Sequence, residues 1–132
     1  MLETSTKRTS PTFGSEGISA NLEKAYEGIP DEGTSLLLSH SPEIYRRAAY
    51  VGFDVMLCGH THGGQICLPG GFALSLNSSA PRFTGVGAWR YDMMQGYTSA
   101  GTGSSVVPAR FNCPPEITLH TLTSGDTESG RT

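Results

Sequence analysis

Residues 35–58 read SLLLSHSPEIYRRAAYVGFDVMLC, and this stretch decides the fold. SLLLSH is a short apolar run that ends in polar residues, which is typical of a strand buried on both faces of a parallel or mixed sheet. Ser41 and Pro42 then supply a natural helix cap and a first-turn proline, and Glu43 adds a first-turn acid. Gly52 ends this helix, and FDVMLC repeats the buried-strand pattern. The stretch therefore predicts a β-α-β unit.

The chain changes character on either side of this unit. Residues 1–17 are rich in Ser, Thr, Gly and charge, and we interpret them as a disordered tail or linker. Residues 18–30 have apolar side chains at helical spacing and predict a short amphipathic helix. Residues 123–132 are another polar tail, so the predicted domain covers residues 18–122. Between His62 and that tail, antiparallel strands and hairpins are predicted from the alternating pieces QICLPGG, FALSL, AWRYDMMQGYTSAG and EITLHTL. The fold class is α/β.

Composition excludes several classes of protein. A chain of 132 residues with 36% hydrophobic residues can form one modest domain. The net charge of -3 and the scattered basic residues argue against a nucleic-acid partner. Three cysteines make a disulfide framework improbable and favour a reducing compartment. No run approaches the about 20 apolar residues that a membrane span needs, so we expect the chain as given to be soluble.

Histidines follow both strands of the predicted unit. His40 comes after the first, and His60 and His62 follow the second, inside CGHTHGGQ (58–65). Ligands of open α/β sheets collect at the carboxyl ends of the strands. Neutral imidazole is a common ligand of Zn, Mn and Fe, and the three glycines of this stretch let the backbone turn sharply. The pattern predicts a metal site, with the alternative that His60 and His62 are simple turn residues.

Two further interpretations stay open. Cys58, His60, His62 and Cys67 form C-x-H-x-H-x4-C, which could instead bind one structural zinc in a small noncatalytic domain. Arg110 could approach a substrate phosphate, since a guanidinium binds oxygen pairs well. Its alternative is a surface arginine beside a hairpin turn.

Together these motifs resemble a known family. SLLLSHSPEIYRRAAYVGFDVMLCGHTHGGQI is similar to the C-terminal half of a calcineurin-like metallophosphoesterase, specifically of the bacterial branch whose last motif reads GHTHGGQ. The similarity runs from about Pro11 to about Leu122 and includes GYTSAGTGSSVVPARFNCPPEITL, which resembles the closing hairpin and the R-x-x-x-PPEI ending of that branch. The resemblance implies the C-terminal half of an αββα sandwich, so residues 18–122 would be a partial domain.

The resemblance also implies a chemistry. His40 and His60 would bind one of two divalent metal ions (Mn, Zn or Fe), and His62 would bind the other. In this family a metal-bridging hydroxide hydrolyses a phosphomonoester, a phosphodiester or a lipid-linked pyrophosphate.

The chain departs from the family in one respect. The earlier motifs D-x-H, G-D-x-x-D and G-N-H, which supply the other ligands, are absent. We therefore expect a C-terminal fragment that is inactive alone and whose partner is the missing N-terminal half. Any membrane or lipid association would lie in that part, so the complete protein would be cytoplasmic or membrane-associated. The alternative is an inactive remnant that acts through a partner.

Overall fold

The computed structural model describes the backbone of residues 15–123 and the side chains of residues 21–123. The first three residues of helix α1 (Ser15–Tyr26) fall within the predicted tail 1–17. The rest of that tail lies outside the described residues, as does the predicted tail 123–132 beyond its first residue.

The predicted β-α-β unit is present. Strands β1 (Leu36–Leu38) and β2 (Val55–Cys58) are parallel neighbours, with Leu36 opposite Val55. The connection is a single 3-10 turn followed by helix α2 (Tyr45–Val51). The unit is parallel because the helix returns the chain to the same end of the sheet.

Both ends of α2 were predicted, and the details differ at its start. Ser41 does not cap the backbone with its side chain; its hydroxyl donates to the Glu43 carboxylate instead. Pro42 is the first residue of the 3-10 turn, a position whose backbone N–H would have no acceptor within the turn, so the proline costs no hydrogen bond. Gly52 ends α2 as expected, with a left-handed φ of 109°.

The later part of the chain completes the sheet. Strands β5 (Gly87–Tyr91) and β6 (Met94–Thr98) form the predicted antiparallel hairpin. β6 also lies parallel to β2, so the order is β1-β2-β6-β5. Strands β3 (Cys67–Leu68) and β4 (Phe72–Ala73) form a separate short antiparallel pair, as their alternation predicted.

One predicted strand is wrong. The segment EITLHTL forms no ladder in the described part of the chain, although Glu116 donates its backbone N–H to Gly101 O at 2.8 Å. Glu116 and Thr118 hydrogen-bond to the Tyr97 hydroxyl, whereas Ile117 and Leu119 are 90% and 91% exposed. Polar and apolar side chains therefore do alternate between the two faces of this segment, but the apolar side chains are on the face that points away from the protein.

Buried apolar side chains form two clusters. The larger lies among the two helices and the four-stranded sheet, and the smaller lies beneath the loop that follows β2. The larger contains Leu22, Ala25, Leu37, Tyr45, Ala48, Phe53, Met56, Cys58, Trp89 and Met94. The smaller contains Cys67, Ala73, Leu76, Ala100 and Cys113.

Candidate functional site

The histidines that follow β1 and β2 lie side by side. The ring centroids of His40 and His60 are 4.6 Å apart, with the planes tilted by 52°. Gly59 donates its N–H to His40 O at 3.2 Å, which fixes the two segments against each other. His40 is exposed and His60 is half-buried. Because each nitrogen–metal bond is about 2 Å long, two imidazoles this close can bind one ion.

His62 does not join this pair in a complete metal site. It is half-buried and begins a 3-10 turn, His62–Gly64. Within residues 21–123, no group of three or more His, Cys, Asp or Glu side chains could hold a metal ion. The described residues therefore offer two neighbouring imidazole ligands, which fit part of a coordination shell and leave it incomplete. Metal binding by the three histidines remains a prediction.

The backbone of the histidine loop (residues 59–65) is unusual. Three residues other than glycine have left-handed φ angles: His60 at 72°, His62 at 51° and Gln65 at 57°. Gly63 and Gly64 are left-handed as well, at 62° and 87°. Such conformations cost of order 1 kcal/mol or more for each residue that has a Cβ, so they persist only where the surroundings enforce them.

Thr61, between the two histidines, provides some of this enforcement. Its hydroxyl donates to Gly85 O at 2.7 Å and accepts from the N–H of Gly63 at 3.2 Å. Thr61 is only 3% exposed. Sequence reasoning missed this residue, although threonine is a common capping residue at the start of a turn.

Close packing explains two of the glycines. A Cβ on Gly63 would lie 2.7 Å from Cys113 Sγ, and a Cβ on Gly64 would lie 2.3 Å from Ala73 Cβ. The smaller cluster of buried side chains therefore presses directly against the histidine loop. Any larger residue at either position would displace the loop.

The guanidinium of Arg110 donates hydrogen bonds to backbone carbonyl groups of the protein. It lies in the closing loop (residues 99–115), and Nη1 contacts His62 O at 3.4 Å. A guanidinium has five N–H donors, and all of them have acceptors here. The structure thus gives no support to the predicted contact with a substrate phosphate. The other acceptors are Cys113 Sγ and the carbonyl oxygens of Gly103, Ala100, Gly101, Cys113 and Pro114.

Gln65 makes the reciprocal contact from the histidine loop. Its Nε2 donates to Val107 O at 2.7 Å, and its Oε1 accepts from the N–H of Ser105 at 2.7 Å. The Gln65 carbonyl accepts from the N–H of Phe111 at 2.9 Å. Gln65 itself is 8% exposed, and its side-chain bonds to the exposed residues Ser105 and Val107 are partly buried. No property of the sequence alone indicated this partner.

The cysteines do not form the alternative zinc site. The Cys58 thiol lies 3.1 Å from Thr98 Oγ1, and burial raises its pKa. Burial also raises the pKa of Cys67, whose thiol donates to Gly63 O at 3.3 Å. Zinc binds thiolates, which raised pKa values disfavour. The structure does not bring Cys58, His60, His62 and Cys67 together.

An acidic side chain lies near the paired histidines. Burial opposes ionisation of Glu43, but hydrogen bonds from Ser41, Ser78 and Ser79 outweigh it and lower the pKa of this carboxyl. The electrostatic attraction of His60 acts in the same direction. Glu43 also lines an open pocket of ≈620 Å³ whose other walls come from residues 74–80 and Arg82.

Comparisons with known proteins place these features in context. The chain is 34% identical over 115 residues to the uncharacterized metallophosphoesterase YkuE of Bacillus subtilis (strain 168), covering 80% of this chain and 40% of that protein. It is 36% identical over 88 residues to the phosphodiesterase YaeI of Escherichia coli (strain K12), covering 64% of this chain and 30% of that protein. It is 36% identical over 107 residues to a Bos taurus transmembrane protein with metallophosphoesterase domain, covering 77% of this chain and 22% of that protein.

The chain therefore spans at most 40% of the length of these three relatives. No protein-family profile matches it, and no solved structure does. None of the helices in the described chain is long and apolar enough to cross a membrane. The relatives support the metallophosphoesterase superfamily, and the mixed sheet is consistent with part of such a domain.

Proposed function

We infer that the chain belongs to the metallophosphoesterase superfamily, and we propose that it is the C-terminal part of a metal-dependent phosphoesterase. Relatives of that name support the superfamily. The observation that carries the functional proposal is the pair His40 and His60, whose rings stand 4.6 Å apart at the carboxyl ends of two parallel strands.

Each histidine has a role in this proposal. His40 and His60 would hold one divalent ion, and His62 would reach a second. Such ions polarise the phosphoryl oxygens of an ester. The chain itself contributes the rigid placement of the ligands, because β1 and β2 fix His40 and His60 through adjacent hydrogen-bonded backbone.

The remaining ligands would come from another part of the same domain. The described residues hold no complete metal-binding group, and the chain covers at most 40% of the relatives named above. The outward-facing Ile117 and Leu119 offer an apolar surface that this missing part would cover. We propose that the complete protein, and not these 132 residues alone, is the enzyme. Any attachment to a membrane or lipid would also reside in the missing part.

The substrate would be a phosphate ester. The Escherichia coli relative is named a phosphodiesterase, which favours a diester over a monoester or a lipid-linked pyrophosphate. The pocket beside Glu43 is rich in serine and asparagine and contains Arg82, so it suits a polar group attached to the phosphate.

A chimera tests the proposal. Residues 35–122 would replace the matching part of the Escherichia coli phosphodiesterase, and hydrolysis of bis(p-nitrophenyl) phosphate would be measured with Mn²⁺. We expect activity in the chimera, a loss of at least about 100-fold for His60→Ala, and little change for His120→Ala, which lies against Tyr97 away from the pair.

The isolated chain is the companion measurement. Purified residues 1–132 should show negligible hydrolysis with Mn²⁺ or Zn²⁺, since two imidazoles without carboxylates bind divalent ions weakly. Robust hydrolysis by this chain, or full activity of the His60→Ala chimera, would refute the assignment.

A further inference from the structure

The histidine loop and the closing loop hold each other through two side chains. Gln65 extends from the histidine loop and bonds to the backbone of residues 105 and 107. Arg110 extends from the closing loop and reaches His62 O, at 3.4 Å. Main-chain bonds join the same two loops, from Phe111 N to Gln65 O and from Cys67 N to Phe111 O, each 2.9 Å. Neither side chain is free to bind anything else.

These contacts converge on one carbonyl. His62 O accepts from the N–H of Gln65 at 3.0 Å, from Cys113 Sγ at 3.2 Å and from Arg110 Nη1 at 3.4 Å. A carbonyl oxygen has two lone pairs, so this one is fully engaged. The peptide plane after His62 is thereby fixed from three directions.

The fixed plane matters because the loop is strained. His60, His62 and Gln65 hold left-handed φ angles that residues with a Cβ rarely adopt. The ring of His60 lies against that of His40, at a centroid distance of 4.6 Å, and the left-handed backbone carries both His60 and His62. Contacts that hold this backbone therefore hold the histidines.

We propose that Arg110 and Gln65 are positioning residues, which keep the histidine loop in its left-handed conformation and so set where His60 and His62 stand relative to His40. The proposal gives Arg110 a role behind the histidines instead of the contact with substrate that its residue type suggests. It rests on the proposed function in one respect only, namely that the positioned histidines bind metal.

The variants Arg110→Lys and Gln65→Met test it in the 132-residue chain. Lysine keeps the charge of Arg110 but cannot reach acceptors on several sides, and methionine keeps the size of Gln65 without its hydrogen bonds. Arg90→Lys is the matched control, because Arg90 is exposed and its Nε donates to a backbone carbonyl, that of Asp92, at 3.2 Å.

Two readouts by NMR separate positioning from general destabilisation. Hydrogen exchange at the amides of Gly64 and Gln65 should accelerate about tenfold or more in both variants, since partly buried bonds to a charged or amide group are lost. The imidazole signals of His60 and His62 should shift, while those of His120 and the whole spectrum of Arg90→Lys should stay unchanged.

Two results would overturn the proposal. One is a folded Arg110→Lys or Gln65→Met chain with unchanged His62 signals and amide exchange. The other is a uniform change that includes His120, or unfolding of both variants, because either would show a general structural role.

Titration with Zn²⁺ keeps this proposal separate from the functional one. If His40 and His60 of the wild-type chain respond to Zn²⁺, Arg110→Lys should weaken that response by about 10- to 100-fold, as supporting residues around metal ligands do. If the wild-type chain gives no response, metal binding by this chain fails, while the exchange and imidazole results still decide the positioning role.

Discussion

Ser35 and Asp54 join the starts of β1 and β2. Asp54 Oδ2 accepts from both the N–H and the hydroxyl of Ser35, each at 2.7 Å. The Ser35 hydroxyl in turn accepts from the N–H of Asp54 at 2.9 Å. Ser35 is 2% exposed and Asp54 is exposed, so these bonds are partly buried. The two residues therefore set the register that brings His40 and His60 together at the opposite ends of the strands.

Ser35→Ala should lower the free energy of unfolding by about 1 to 3 kcal/mol, because the Asp54 carboxylate loses the bond from the Ser35 hydroxyl and the Asp54 N–H keeps only its longer bond to Ser35 O, at 3.2 Å. Urea denaturation followed by the fluorescence of Trp89 would measure this change. Ser104→Ala is the control, since Ser104 is exposed, and it should be neutral. Equal stability of the two variants would contradict the role given to Ser35.

Single residues also show what the sequence could reveal about the site. The proximity of His40 and His60 was predictable, because parallel strands that end together bring their following residues together. The contacts of Arg110 and Gln65 were not, since a long side chain can reach many partners and the closing loop has no regular structure to place it. Thr61 was missed for a similar reason: its acceptor, Gly85 O, lies far along the chain.

At the scale of elements, the β5–β6 hairpin is built around one tryptophan. Trp89 lies opposite Gly96, and its ring occupies the space above that glycine. Its indole N–H donates to Thr98 Oγ1 at 2.9 Å. Since β6 is an inner strand, the packing of this hairpin also supports β2 beside it.

Gly96→Ala should destabilise the protein by about 1 to 3 kcal/mol, because the new methyl would lie 2.3 Å from the Trp89 ring. Differential scanning calorimetry would show a lower melting temperature. Gly103→Ala is the matched control: nothing lies within 4 Å of its added Cβ, and its melting temperature should stay close to that of the wild type. The prediction fails if the two alanine variants melt together.

The segment after the closing loop is tied to β6 through an acid. The Tyr97 hydroxyl donates to Glu116 Oε1 at 2.7 Å, and this bond, with a second from Thr118, lowers the pKa of Glu116. A carboxyl with a lowered folded pKa stabilises the protein above its unfolded pKa of about 4.3, and that contribution is lost as the pH falls through the folded value.

The wild-type protein should therefore lose more stability between about pH 5 and pH 3 than Glu116→Gln does. Melting temperatures across this range would test the difference, with Glu32→Gln, the same substitution at an exposed position, as the control. The effect should be small because Glu116 is partly exposed. If Glu116→Gln lost more stability over this pH range than the wild type, the proposed link between ionisation of Glu116 and stability would be excluded.

Over the whole molecule, the sequence predicted the strands of the sheet better than the segments that surround the sheet. Continuous apolar runs correctly predicted β1 and β2 as parallel neighbours, but the predicted burial of β1 on both faces is wrong: β1 is an edge strand of the described sheet, and its Leu38 is 43% exposed. EITLHTL carries the alternation of a strand, but alternation records only which side chains share a face and cannot supply a neighbouring strand. Ile117 and Leu119 are exposed for that reason.

This exposure has a measurable consequence. Ile117, Leu119 and Leu122 are 90%, 91% and 60% exposed, so the isolated chain should self-associate and bind hydrophobic dyes. The double variant Ile117→Lys, Leu119→Lys should reduce both, as judged by sedimentation and dye fluorescence. Val106→Lys is the control, because Val106 is fully exposed elsewhere. A monomeric wild-type chain without dye binding would count against a missing partner for this surface.

The position of β6 between β2 and β5 also predicts an order of events during folding. β5 and β6 meet through a tight turn, whereas β2 must wait for β6, with Val55 opposite Gln95. Closing the longer loop costs more chain entropy, so we expect the hairpin to form first and then to dock on β2. On the ribosome this docking requires synthesis beyond Thr98. We therefore expect β2, which leads to His60, to gain its second neighbouring strand only after Thr98 has been synthesised.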